Sequence, residues 1–283
     1  MIALKQVTKQ YGQAIVLKNI TLSINEPGIY CLLGRNGAGK TTLLKSVAGY
    51  QNITSGTIQV DGKRITTSTL DTGVSYVENY AKHFNLPVRK LLKIASEVNP
   101  NYDYDFASEM MERFELDGKK KFHSLSLGIK TMVSTILCLA SKKSVVLLDE
   151  PVLGFDAIMR GEFYGMLAES FRKHPRTIIV STHIIEEIAK TVQKLLIIDQ
   201  GSIRFFDTLQ AVETKAFRIS GLQKDVEAAT QNINVIGQDT VGGLVTAYIF
   251  DNPPEQTASL EIRPLSLQDF FIQMVGHKGG TAR

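Results

Sequence analysis

Apolar and polar positions alternate through the first part of the chain. Ile2 to Val7 and Ile20 to Ile24 read as strands, and Ile29 to Leu33 (Ile-Tyr-Cys-Leu-Leu) as a buried strand. Thr41 to Ala48 reads as a helix. Gly56 to Val60, closed by Asp61-Gly62, and Gly73 to Val77 are further strands. From about Leu86 to Phe122 the period turns helical. Leu91, Leu92, Ile94 and Ala95 mark one segment; Phe106, Met110, Met111 and Phe114 mark another. A helix is expected from about Lys130 to Ser141, then a short apolar strand, Ser144 to Leu148, suited to the middle of a parallel sheet. Helix Ile158 to Arg172, strand Thr177 to Ser181 and helix Ile184 to Thr191 follow. Leu195 to Asp199 and Ile203 to Phe206 form a hairpin about Gln200-Gly201. Such alternation predicts an α/β layer with a mainly parallel sheet.

Composition shifts after about Leu209. Ala216 to Ile219, Leu244 to Phe250 and Leu260 to Arg263 read as strands, Val226 to Asn232 and Leu267 to Val275 as helices. Gly237, Gly242, Gly243, Pro253 and Pro254 punctuate them. The expected division is a main domain over 1–209 and a small α/β module over 210–283, with the last residues, Gly276 to Arg283, frayed.

The chain has 283 residues, 43% of them hydrophobic and 21% charged, which is ordinary for a globular protein. No apolar run approaches the roughly 18 residues of a membrane-spanning helix, and the start, Met1-Ile2-Ala3-Leu4-Lys5, lacks the apolar core of a signal peptide. A cytosolic location is expected unless a partner holds the chain at a membrane. The formal net charge of +4 is modest and unclustered, which argues against nucleic acid as a partner. Cys31 and Cys138 both lie in apolar runs without C-x-x-C spacing, and read as core residues.

Chemistry concentrates in four places. Gly34-Arg35-Asn36-Gly37-Ala38-Gly39-Lys40-Thr41 fits G-x-x-x-x-G-K-[ST] between a strand and a helix, the P-loop that cradles nucleotide phosphates. Its glycines let backbone N–H groups approach an anion, and the helix N-terminus adds partial positive charge. Asn36, Gly37, Ala38, Gly39, Lys40, Thr41 and Thr42 are the expected ATP contacts, with Lys40 on the β- and γ-phosphates and the Thr41 hydroxyl on Mg²⁺. Val145-Val146-Leu147-Leu148 runs into Asp149-Glu150, placing two carboxylates at a sheet's carboxyl edge. Asp149 would hold Mg²⁺ through its water shell, and Glu150 would act as general base. Ile178-Ile179-Val180-Ser181-Thr182 ends another strand in His183, where a γ-phosphate sensor is needed. His83, His123, His174 and His277 have no such context and are expected at surfaces. Leu125-Ser126-Leu127-Gly128 opens a helix, with Ser126 as its natural N-cap.

Over residues 1 to about 209 the chain resembles the ATPase subunits of ATP-binding cassette (ABC) transporters. The P-loop, the Leu-Ser-x-Gly signature at 125–128, the strand ending Asp149-Glu150 and His183 occur in that family's order. Gly154-Phe155-Asp156 resembles its D-loop, and Tyr11 the aromatic that stacks on adenine. The resemblance implies a P-loop NTPase fold of the ABC ATPase type, with a helical subdomain over about 82–141 and the small C-terminal α/β module. It also implies a head-to-tail dimer, homomeric or with another ABC ATPase, in which ATP is sandwiched between the P-loop of one subunit and Ser126 and Gly128 of the other, with Asp156 nearby. Separately encoded integral membrane subunits would be the partners, and the chain would sit peripherally on the cytoplasmic side of the cell membrane.

Finer likeness is to ATPases of bacterial exporters that lack a substrate-binding protein, some of which export antimicrobial peptides. Asn99-Pro100-Asn101-Tyr102-Asp103, Ser126 to Thr131 and Gly154 to Arg160 carry it. Two positions depart from the family. Ile129 replaces the signature's usual glutamine. The Q-loop glutamine is missing after Val74-Ser75-Tyr76-Val77, so Glu78 or Asn79 takes its place, and Glu78 is a further candidate for Mg²⁺ through water. These departures raise an alternative, an ATP-gated regulator of low turnover. Another is a non-transport ABC ATPase on ribosomes or DNA, which tandem cassettes or a coiled-coil arm would have favoured.

Overall fold

A computed structural model describes residues 1–78 and 84–276. Asn79, His83 and residues 277–283, the tail expected to fray apart from Gly276, therefore lie outside the described residues. The chain opens with an antiparallel hairpin, β1 (Ile2–Tyr11) and β2 (Ala14–Ile24). The wholly buried β3 (Gly28–Leu33) leads into α1 (Lys40–Val47). Strands β4 (Ser55–Val60) and β5 (Lys63–Arg64) extend the hairpin into a sheet ordered β2-β1-β4-β5. After β6 (Val74–Val77) come α2 (Val88–Val98), α3 (Tyr104–Arg113) and α4 (Leu127–Ala140). Then β7 (Val145–Asp149), α5 (Ala157–Lys173), β8 (Thr177–Ser181), α6 (Ile185–Ala189) and the hairpin β9 (Lys194–Asp199) and β10 (Ser202–Thr208) complete a six-stranded sheet, β10-β9-β3-β8-β7-β6.

Five of its strands are parallel and β10 is antiparallel at the edge. The two-residue period of a strand sorts its side chains between two cores. Ile29, Cys31 and Leu33 face one side, with Val146, Leu148, Ile178 and Val180, against α4 and α5. Tyr30 and Leu32 face the other, with Leu147 and Ile179, against Leu43, Leu44 and Val47 of α1 and the first sheet. Both faces are covered, so these strands read as unbroken apolar runs. Burial pushes both thiols up, that of Cys138 to about 12, so they are inert packing groups.

The C-terminal segment differs most from expectation. A seven-residue helix, α7 (Leu209–Lys215), starts directly where a change of domain was expected. Thr208 caps it by accepting from the Ala211 N–H at 3.1 Å, and Val212 is buried in the main core. Next come β11 (Ala216–Leu222), α8 (Gln223–Thr230), β12 (Val235–Val241), β13 (Leu244–Phe250), β14 (Leu260–Pro264) and α9 (Leu267–Gly276). Their sheet is antiparallel, in the order β12-β13-β11-β14. Ile219, Val226, Val245 and Ile249 form a small core under α8. On α9, Phe270 is fully buried, edge-on to Phe205 of β10 at 5.0 Å and tilted against Phe250 of β13 at 5.4 Å, so α9 joins the small sheet to the large one. His174 is only half-exposed, with Nε2 3.3 Å from Asp103 Oδ2, rather than a free surface group.

Candidate functional site

The site is built where β3, β7 and β8 end. The loop from β3 turns over Gly39, whose φ of +108° favours glycine, and starts α1 at Lys40. Around it lies a 230 Å³ cavity lined by Val16, Arg35, Asn36, Gly37, Gly39, Lys40, Thr41, Thr42 and Glu150. Every residue expected on the phosphates thus lines this cavity except Ala38, which is buried in the core beneath the loop. Lys40 is 7% exposed; its ammonium donates to the Gly34 carbonyl at 2.7 Å and stands 3.8 Å from Glu150 Oε1.

The parallel register of β7 on β8 sets the acidic side. Asp149 pairs with Ser181, whose hydroxyl donates to Asp149 Oδ1 at 2.5 Å. The Tyr76 hydroxyl reaches Asp149 Oδ2 at 3.4 Å. Burial, and then the Asp149 charge, push the Tyr76 phenol up, so it remains a donor. Glu150 takes a left-handed φ of +49°, a strained conformation for a non-glycine residue. Its N–H is held by the Ser181 carbonyl at 3.1 Å and the Ser181 hydroxyl at 3.0 Å. That turn aims the carboxylate between Lys40 and His183, with Oε2 2.8 Å from His183 Nδ1. Ser181 and Tyr76 were not anticipated. The signal for Ser181 was a polar residue closing the apolar run Ile178-Ile179-Val180.

Other expected residues lie on separate elements. Tyr11, at the end of β1, is half-exposed; Lys9 Nζ lies 4.6 Å over its ring, and its hydroxyl donates to Gln51 Oε1 at 2.5 Å. Gln51 in turn donates to the Thr42 carbonyl at 2.7 Å, which ties Tyr11 to α1. Ser126 and Gly128 head α4, where Ser126 Oγ accepts from the Ile129 N–H at 3.4 Å. A Cβ on Gly128 would stand 3.3 Å from the Phe155 ring, so the signature packs directly on the D-loop. Asp156 caps α5, accepting from the Met159 N–H at 2.8 Å. None of Tyr11, Ser126, Gly128 and Asp156 lines the phosphate cavity of its own chain. Glu78 does not either: its carboxylate is 2.6 Å from Lys45 Nζ on α1, and it lines a different, 400 Å³ cavity with Tyr50, Tyr76, Phe84 and Cys138.

Ile129 is half-buried and packs against the main core. Ile129→Gln is expected to lower stability by roughly 1 kcal/mol, because an amide would replace an apolar contact without partners for its polar atoms. A melting curve and a turnover assay on the same variant check this. A lower melting temperature with unchanged specific activity is the expected pair; a gain in activity at unchanged stability would contradict it.

A glycine-lined anion loop at a helix N-terminus, with a carboxylate pair at the facing sheet edge, defines a P-loop nucleotide hydrolase. The family model described as ABC transporter matches residues 17–153. YtrB, an ABC transporter ATP-binding protein of Bacillus subtilis, is 29% identical over 98% of this chain and 99% of its own length. The bacitracin transport ATP-binding protein BcrA of Bacillus licheniformis is 27% identical over 97% of this chain and 96% of its own. The bicarbonate transport ATP-binding protein CmpD of Synechocystis sp. is 30% identical over 71% of this chain and 74% of its own. Among solved structures, the ATP-binding subunit of an ABC transporter superposes with a TM-score of 0.68 at 21% identity, over 75% of this chain and 92% of that one. The chain belongs to the family of ABC transporter ATP-binding proteins. It is the ATP-binding subunit of such a transporter and an ATP hydrolase. Among the described residues, no helix is long and apolar enough to cross a membrane.

Proposed function

We propose that this ATPase powers an exporter by ATP-driven dimerisation, working on the cytoplasmic side of the membrane with separately encoded membrane subunits. The observation that carries the mechanism is the pairing of Glu150 with both Lys40 and His183 at the mouth of the phosphate cavity. Lys40 exchanges the Gly34 carbonyl for β- and γ-phosphate oxygens. Glu150 takes the proton of the attacking water, and His183, on its far side, orients the carboxylate and contacts the γ-phosphate. Ser126 and Gly128, which do not line the cavity of their own chain, close on the nucleotide of the opposite subunit, with Asp156 beside them. Tyr11 offers its half-exposed ring to adenine.

Mg²⁺ fits the donors present. Among the described residues no cluster of three or more acidic, histidine or cysteine side chains could cage a metal by itself. The Thr41 hydroxyl and the Asp149 carboxylate are hard oxygen donors beside the phosphate cavity, the kind of sparse set that holds Mg²⁺ together with phosphate oxygens and water. Bound there, the ion neutralises phosphate charge. Glu78 would join it only by leaving Lys45.

Export is supported by the exporter-like segments at 99–103, 126–131 and 154–160. A protein named for bacitracin transport matches along nearly the whole chain, whereas CmpD matches 71% of it. The division into 1–209, with its helical subdomain, and 210–283 belongs to this proposal. The alternative of an ATP-gated regulator draws on one observation, the Lys45–Glu78 ion pair that holds the Q-loop acid on α1.

Because ATP itself would complete the dimer interface, dimerisation and binding are linked. The chain is expected to elute as a monomer without nucleotide and as a dimer with ATP when hydrolysis is blocked by Glu150→Gln. An ATP-independent elution volume would remove the sandwich. Efflux rather than uptake in vesicles carrying the membrane subunits tests the direction.

A further inference from the structure

Arg160 makes contacts that the mechanism above does not use. It sits on the first turn of α5, just past the D-loop, and its guanidinium binds three oxygens. Nε donates to Glu187 Oε2 at 2.7 Å, and one terminal nitrogen to Glu187 Oε1 at 2.9 Å, a two-pronged fork on one carboxylate. The other terminal nitrogen donates to the Phe155 carbonyl at 2.9 Å. Each partner leads to the site. Phe155 is 5% exposed, and its ring is the surface on which Gly128 of the signature packs. Glu187 is on α6, one turn beyond His183, and α6 is seated in the core by Ile185 and Ile188.

His183 is thus held from two sides. On the strand side, Ser181 binds Asp149 and the Glu150 N–H, so β7 fixes where the histidine's segment begins. On the helix side, the Arg160 fork is the ion pair that ties α6 to the start of α5. We infer that Arg160 is a positioning residue that couples the signature and D-loop to the Glu150–His183 pair, so that closure of the opposite subunit on Gly128 and Phe155 is felt at the general base. Arg160 lines no part of the phosphate cavity. It therefore acts on the hydrolytic step and not on ATP affinity. A lysine cannot reproduce the contacts, because a single ammonium lacks the planar fork and the third nitrogen together.

The inference rests on the assignment of Glu150 and His183 as the hydrolytic pair, and the experiment separates the two. Full-length Arg160→Lys, Glu187→Gln and the double variant are compared with Glu150→Gln and His183→Ala for steady-state ATP turnover, equilibrium ATP binding and melting temperature. The expected result is that kcat of Arg160→Lys and of Glu187→Gln each fall about tenfold, with ATP affinity within about twofold of wild type. The double variant falls no further than the worse single, because the two residues share one contact. Unchanged kcat in Arg160→Lys overturns the inference. So do strictly additive losses, or a loss of affinity and melting temperature that matches the loss of kcat, since that pattern marks a general structural role. Wild-type turnover in both Glu150→Gln and His183→Ala would instead overturn the assignment of the pair itself, whatever the Arg160 variants do.

Discussion

Glu150→Gln is expected to bind ATP at least as tightly as the wild-type chain and to hydrolyse it on the order of 10²–10⁴ times more slowly, the usual loss when a general base is removed. The amide has the shape of the carboxylate and keeps the backbone turn, whose left-handed φ is held through the N–H by Ser181 and not through the side chain. It can still accept from His183 across the 2.8 Å contact. What it lacks is the basic oxygen. It also lacks the negative charge 3.8 Å from Lys40, so the ammonium is freer to turn to the phosphates, and the γ-phosphate no longer faces the Glu150 charge. Slow hydrolysis at preserved affinity should trap the ATP-bound state. Phosphate release measured beside equilibrium binding is the check, and wild-type turnover would take Glu150 out of the mechanism.

The two sides of the site were unequally legible in the sequence. The P-loop announces itself because every contact it offers is backbone or sequence-adjacent: seven consecutive residues, Asn36 to Thr42, build one concavity, and six of them line the cavity. The parallel strands β7 and β8 were equally plain, since burial on both faces leaves nothing but apolar residues between their ends. What local pattern does not carry is register. That Ser181 stands opposite Asp149, and thereby fixes both the metal-side carboxylate and the turn at Glu150, depends on how β8 is aligned with β7. The Arg160–Glu187 fork and the Lys45–Glu78 pair likewise join residues distant in sequence, each of which alone reads as a solvated charge on a helix or loop.

Two elements of the C-terminal segment, α7 and β12, are not legible in the sequence for a related reason. β12 (Val-Ile-Gly-Gln-Asp-Thr-Val) carries Gly237 and Asp239, both poor strand formers, so local pattern predicts no strand there. It is a strand because β13 offers it a complete ladder, with a shift in register between Val235 and Gly237. The helix α7 was hidden because Leu209 and Val212 are its main apolar anchors in a short span. The aromatic contact of Phe270 with Phe205 and Phe250 is long-range by nature, and it ties the last helix to the edge of the main sheet.

Lys40→Ala is expected to weaken ATP binding by roughly ten- to a hundredfold. A charge-assisted contact is worth about 1.5–3 kcal/mol, and each 1.4 kcal/mol is a factor of ten. Lys40 is the P-loop's own ammonium beside the acid, already buried to 7% exposure and desolvated before nucleotide arrives. Alanine leaves two deficits besides the lost phosphate contact. The Gly34 carbonyl loses its donor at 2.7 Å, which loosens the loop that must present N–H groups to the phosphates. Glu150 loses the ammonium 3.8 Å from its Oε1, so its charge opposes the incoming γ-phosphate with less screening. The helix start itself is not at risk, because alanine is the best helix former and α1 keeps Leu43, Leu44 and Val47 in the core. The variant should therefore melt near wild type without nucleotide and lose most of the stabilisation that saturating ATP confers on the parent chain. Melting curves with and without ATP, with a titration to confirm the affinity, decide it. A wild-type ATP-induced shift in Lys40→Ala would show that the phosphates are held elsewhere than on this loop.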